Sequence, residues 1–136
     1  MTEPQELAEQ YAALWNEPHP AQRRQAIAEL WTEDAVHTLQ PPQEVYETAQ
    51  GLGMRAMLQS RGHAELESRV TLAYEQFVAG GEYSFRARAN AARVGDVVKF
   101  GWEMVSRSGE VAAVGLEFAT LDAEGRIRLD YQFIES

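Results

Sequence analysis

The sequence contains no cysteine, which excludes disulfides, thiol nucleophiles and Cys-ligated zinc or iron–sulfur centres. It is also short of positive charge: 12 Lys and Arg stand against 21 Asp and Glu, a formal net charge of −9, and Lys99 is the single lysine. Nucleic acid and anionic membrane would both be approached against that mean field, so neither is expected as a partner. No apolar run approaches the roughly 18 residues that a membrane span requires, and the start Met1-Thr2-Glu3-Pro4 has no basic flank leading into an apolar stretch. A cytoplasmic protein is the expectation. The three histidines, His19, His37 and His63, lack any metal-ligand spacing, and no glycine-rich phosphate loop follows a strand. No metal and no cofactor are therefore expected.

What is present suffices for one domain spanning 1–136, since 45% of the residues are hydrophobic and a core can form without staples. Leu7, Tyr11, Leu14 and Trp15 recur at helical spacing over Thr2–Asn16, and Thr2-Glu3-Pro4-Gln5 offers a capping box. Ile27, Leu30 and Trp31 mark the face of a second helix, with Arg23, Arg24 and Gln25 turned away from it. Thr32-Glu33-Asp34 closes that helix, a brief strand fits Ala35–Leu39, and Pro41-Pro42 forces an extended turn suited to a pocket rim. Residues 51–60 can form a short helix, and a longer one carries Leu66, Val70, Ala73, Tyr74 and Phe77 up to Gly80-Gly81. After Gly81 strand alternation takes over, with turns at Gly95-Asp96, Ser108-Gly109 and Asp122-Ala123-Glu124-Gly125. The fold class is α+β: N-terminal helices packed on a strongly curved antiparallel sheet that encloses a cone-shaped cavity.

Trp102-Glu103-Met104 on a central strand, Gly115-Leu116-Glu117 on the next and Asp122 to Ile127 before the last strand join Leu30-Trp31-Thr32-Glu33-Asp34-Ala35-Val36. Together they resemble the SnoaL-like branch of the nuclear-transport-factor-like superfamily, over nearly the whole chain. That resemblance implies a cone scaffold shared by polyketide cyclases, ketosteroid isomerases, dehydratases and epoxide hydrolases. It also implies an acid/base carboxylate at Glu117, where cyclase-type members carry Asp in a Gly-x-Asp pattern. Many relatives have histidines just before the Trp-bearing strand, whereas this chain reads Ala91-Ala92-Arg93-Val94-Gly95-Asp96.

Glu117 shares a strand face with the small residues Gly115 and Ala119. If that face lines the cavity, burial raises its pKa and suits it to acid/base work. His37 follows Asp34 by three, so Asp34 is a candidate to orient His37 as a second base. Trp15, Trp31, Tyr46, Trp102 and Tyr131, with Tyr11, are candidate aromatic walls. Two readings follow. One is cofactor-free proton transfer on a small apolar or aromatic molecule, as in cyclisation, isomerisation, dehydration or hydrolysis. The other is a non-catalytic ligand-binding or dimerisation module. Val114, Leu116 and Phe118 leave the outer sheet face apolar, from which a homodimer through the sheet is expected.

Overall fold

The computed structural model describes residues 3–135. Helix α1 (Pro4–Asn16) turns Leu7, Ala8, Tyr11, Ala12, Leu14 and Trp15 inward, as its apolar period requires. The capping box assigned to Thr2 lies outside the described residues. Two amide side chains fasten α1 to the sheet. Gln5 Nε2 donates to the Arg88 carbonyl at 2.9 Å and its Oε1 accepts from the Ala91 N–H at 3.3 Å. Asn16 Nδ2 donates to the Phe85 carbonyl at 2.6 Å while its Oδ1 accepts from the Phe85 N–H at 2.8 Å. Each amide imitates a strand neighbour, satisfying edge backbone groups that would otherwise need water. Tyr11, between the two clamps, is held at a fixed height over the sheet.

Helix α2 (Pro20–Leu30) stops short of Trp31, which opens strand β1 (Trp31–Leu39). The strand thus starts four residues before the expected Ala35, because β1 is flanked on both sides and its Trp, Thr and Val side chains fit a buried ladder. Arg23, expected off the core face, is buried. Its guanidinium donates to the carbonyls of Glu17 and Pro18 and to the Thr71 hydroxyl, and lies 4.7 Å from the Tyr74 ring centroid. Satisfied donors are what make that burial tolerable.

Helix α3 (Gln43–Gly51) buries no residue, and strand β2 (Leu58–Arg61) follows it. The short helix expected over 51–60 is therefore displaced: Gly53, at φ 71°, lies outside helical space just after α3 ends. Helix α4 (Gly62–Ala73) continues through one wider π-type turn, Tyr74–Val78, and is finished before Gly80.

Strands β3 (Tyr83–Ala87), β4 (Ala92–Val94), β5 (Val97–Ser106), β6 (Val111–Leu121) and β7 (Ile127–Glu135) complete an open sheet of order β2-β1-β7-β6-β5-β3, with β4 on β5. The expectation of a purely antiparallel sheet needs one correction. β1 and β7 run parallel, which their long crossover connection allows. Helix α1 packs on β3 and β5 and α4 on β1, so the helices cover one face of a mixed sheet.

Strand β7 also departs from its sequence pattern. Ile127 is buried, but an irregularity then shifts the register, so that Leu121 pairs with Ile127 while Thr120 pairs with Leu129. The extra residue reverses the parity of the rest of the strand. Leu129, Tyr131 and Phe133 face out, and Asp130 and Gln132 face the interior.

Candidate functional site

On β6 the inward set is Gly115, Glu117, Ala119 and Leu121, and Glu117 is completely buried. Asp130 and His37 are Cα partners across the parallel β1–β7 ladder, and both are buried too. His37 Nδ1 lies 3.0 Å from Asp130 Oδ2. The carboxylate that orients His37 is therefore Asp130 and not Asp34. Asp34 is exposed and accepts a hydrogen bond from the Thr32 hydroxyl at 3.0 Å, because its place on β1 points it away from the interior.

Tyr11 joins the two carboxyl groups. Its hydroxyl oxygen is 2.8 Å from Glu117 Oε1 and 2.7 Å from Asp130 Oδ2. Trp102 Nε1 donates to the other Glu117 oxygen, Oε2, at 2.7 Å. Gly115, directly opposite Trp102, makes this possible: a Cβ there would stand 2.1 Å from the indole ring. The space left by Gly115 is thus filled by the tryptophan and not by a ligand.

The electrostatics follow from burial. Desolvation pushes the Glu117 carboxyl well above its ordinary pKa of 4.5, and the nearby Asp130 pushes it the same way. The Tyr11 hydroxyl is raised as well, by desolvation first and then by the charges of Asp130 and Glu117. A phenol has one hydrogen, so Tyr11 cannot donate fully to two carboxylates. With Glu117 protonated every contact is satisfied: Glu117 donates to Tyr11, Tyr11 donates to Asp130, and His37 Nδ1–H donates to the same Asp130 oxygen. The pair then holds one proton and one negative charge.

His37, Glu117 and Asp130 each offer a ligand atom within 4.8 Å of the others, an arrangement that could in principle surround a cation. No spacing in the sequence could have announced it, since the three residues come from three strands. Four of the six oxygen and nitrogen atoms concerned already have partners among these residues; only His37 Nε2 and Asp130 Oδ1 lack one. A metal would have to displace the Tyr11 hydroxyl, so a shared proton fits the site better.

Above this network a pocket of about 590 Å³ opens between α1, α4 and the sheet. Its walls are mainly apolar, with Trp15, Phe77, Phe85, Trp102, Met104 and Ile134 contributing. Leu39 to Gln43, including the Pro41-Pro42 turn, form one side of it together with Leu58. Tyr11, Trp102 and Gln132 reach the wall from the buried side; Glu117, Asp130 and His37 lie behind them. Of the expected aromatic wall residues, Trp15 and Trp102 do line the pocket. Trp31 does not: it is wholly buried in the core, edge-on to His37 with ring centroids 6.0 Å apart. Tyr46, on α3, and Tyr131, on the outer face of β7, are both exposed, since one helix packs on nothing and the other strand has its parity reversed. Asp130 and Arg69, which also lines the pocket, carry no sequence signal of their own.

No family model matches the sequence, and no curated protein does. Solved structures do. A candidate isomerase of the SnoaL-like family from Agrobacterium tumefaciens str. C58 superposes with a TM-score of 0.79 at 24% identity, covering 100% of both chains. A protein with a ketosteroid isomerase-like fold from Catenulispora acidiphila DSM 44928, in complex with trimethylamine, has a TM-score of 0.61 at 15% identity over 97% of this chain and 86% of that one. A candidate polyketide cyclase from Sinorhizobium meliloti has a TM-score of 0.58 at 13% identity over 94% of each. At these identities the likeness is one of fold.

Proposed function

With the SnoaL-like, nuclear-transport-factor-like α+β fold as premise, we propose that this chain holds a small, largely apolar molecule in its pocket and moves protons on it. The observation that carries this reading is the contact between pocket and network. Tyr11 and Trp102 both form wall, and both hydrogen-bond directly to a protonated, buried Glu117. Glu117 acts as the proton reservoir. When the Tyr11 hydroxyl turns from Asp130 to a basic atom of the ligand, it hands over its hydrogen and takes that of Glu117, leaving a carboxylate that later recovers the proton. Asp130, fixed by His37, keeps Glu117 protonated in the resting state. Cyclisation, isomerisation, dehydration and hydrolysis all need such a transfer.

A non-catalytic binding module is the second reading, and one observation favours it: no carboxylate or imidazole of the network is itself on the wall. Native mass spectrometry of the protein purified from its own host tests the shared part. A retained small organic molecule is expected. Incubating that molecule with wild type and Glu117→Gln then separates the readings, since turnover by wild type alone supports catalysis and turnover by neither supports binding only. A protein that carries nothing counts against both.

The outer face of β6 and β7 presents Leu116, Phe118, Leu129, Tyr131 and Phe133, with Phe118 and Phe133 edge-on at 5.8 Å. A second copy of the chain packed there as a twofold homodimer would cover it. Light scattering at micromolar concentration should give twice the chain mass, and Phe133→Glu should halve it. The reading also carries a cytoplasmic location, to be checked by cell fractionation. Among the described residues no helix is long and apolar enough to cross a membrane.

A further inference from the structure

Two arginines lie in the helical layer with their guanidinium groups over aromatic rings, and only one is satisfied. Arg23 has protein acceptors for all three of its nitrogens. Arg69, on α4, lies 5.1 Å above the Trp15 ring centroid, its Nε is buried, and that Nε has no hydrogen-bond partner. Among the described residues it makes no ion pair either. It is the one charged side chain on the wall of the apolar pocket. A desolvated cation without a counter-ion is costly to keep, and desolvation is what lowers the Arg69 pKa. The negative charge of the network does not relieve it, since Asp130 is already engaged by Tyr11 and His37.

We propose that Arg69 is an anion seat, and that the molecule this pocket takes is a small acid: an aromatic or aliphatic body carrying a carboxylate or an equivalent planar oxyanion. This rests on the pocket reading above and specifies its ligand class. The apolar walls cover the body. The guanidinium fork supplies paired donors to the oxygens, and Trp15 holds the fork by stacking under it. A neutral Glu117 suits such a ligand, because a second carboxylate charge beside Tyr11 would repel it.

The test uses matched pairs that differ only in charge: benzoate, 2-naphthoate, hexanoate and decanoate against their carboxamides. Binding is read by calorimetry and by tryptophan fluorescence. At least one acid is expected to bind at least about tenfold more tightly than its amide, the ordinary worth of a charge-assisted hydrogen bond. Arg69→Met, which keeps the apolar stem, should erase that preference while leaving the amide's affinity unchanged, and Arg69→Lys should restore part of it. The melting temperature of Arg69→Met without ligand should not fall, since no protein partner is lost. Equal binding of acid and amide across the set overturns the anion seat and leaves the pocket reading intact. No binding by any member removes both. A preference that survives in folded Arg69→Met also overturns the assignment.

Discussion

The Tyr11 hydroxyl stands 2.8 Å from Glu117 Oε1, and because the same oxygen is 2.7 Å from Asp130 it can complete both contacts only if one carboxyl is protonated. Burial and the charge of Asp130 select Glu117 for that proton. The resting site is therefore an acid and not a base, and the distinction can be measured.

A raised native pKa means that the folded protein binds a proton which the unfolded chain releases above the ordinary value of 4.5. Stability from this group is fully present below that value and declines as pH rises towards the native pKa, by up to about 1.4 kcal/mol per pH unit. Glu117→Gln imitates the protonated acid: its amide N–H can face Tyr11 and its oxygen can accept from Trp102. The variant should fold, lose this part of the pH slope, and equal or exceed wild type in stability from neutral pH upward. Urea midpoints of both proteins between pH 5 and pH 9 check this. A variant much weaker than wild type at neutral pH would mean that Glu117 is ionised.

Tyr11→Phe keeps the ring, which packs edge-on against Phe100 with centroids 5.0 Å apart, and removes only the bridge. Glu117 loses one partner and Asp130 another, in a place water does not reach. The expected destabilisation is about 1–3 kcal/mol. In the double variant with Glu117→Gln the two effects should not add, since both residues belong to one network. Denaturation of the four proteins of this cycle gives the coupling directly.

Parts of this site are legible in the sequence and parts are not, for physical reasons. Glu117 sits between Gly115 and Ala119 on a strand with regular alternation, so its burial follows from the period alone. Trp102 shares a face with Val98 and Phe100 for the same reason. In β7 alternation misleads: one residue added between Ile127 and Leu129 exposes Tyr131 and Phe133 and buries Asp130. Nothing in Ile127-Arg128-Leu129 marks that irregularity. The Asp34–His37 spacing misleads too, because three residues apart on a strand means opposite faces, whereas on a helix it means neighbours. Arg69 looks like any arginine of a helical sequence until the pocket beneath it is known.

His37 and the two aspartates supply a direct check. Asp34→Ala removes an exposed side chain whose one bond is to Thr32, and stability should change by less than about 0.5 kcal/mol. The His37 ring nitrogens should keep their NMR shifts. Asp130→Asn should move those shifts, since the acceptor that holds the proton on Nδ1 becomes a neutral amide. Equal responses to the two substitutions would remove Asp130 from the network.

Gly115 is where the packing of the site is most exposed to test. An added Cβ would stand 2.1 Å from the Trp102 ring, far inside contact distance, and the atoms it meets belong to a rigid indole. The indole has no adjacent space on β6 into which it can shift while Nε1 still reaches Glu117 Oε2. Gly115→Ala should therefore expel Trp102 towards the pocket, break that hydrogen bond and destabilise the fold by about 1–3 kcal/mol. Trp102 fluorescence, read in a background with Trp15 and Trp31 replaced by Phe, should shift with the change in surroundings. Because the expelled ring would occupy the cavity, the same substitution should also weaken any ligand the pocket holds; a variant with native fluorescence and full affinity would show that the glycine is not what seats the tryptophan.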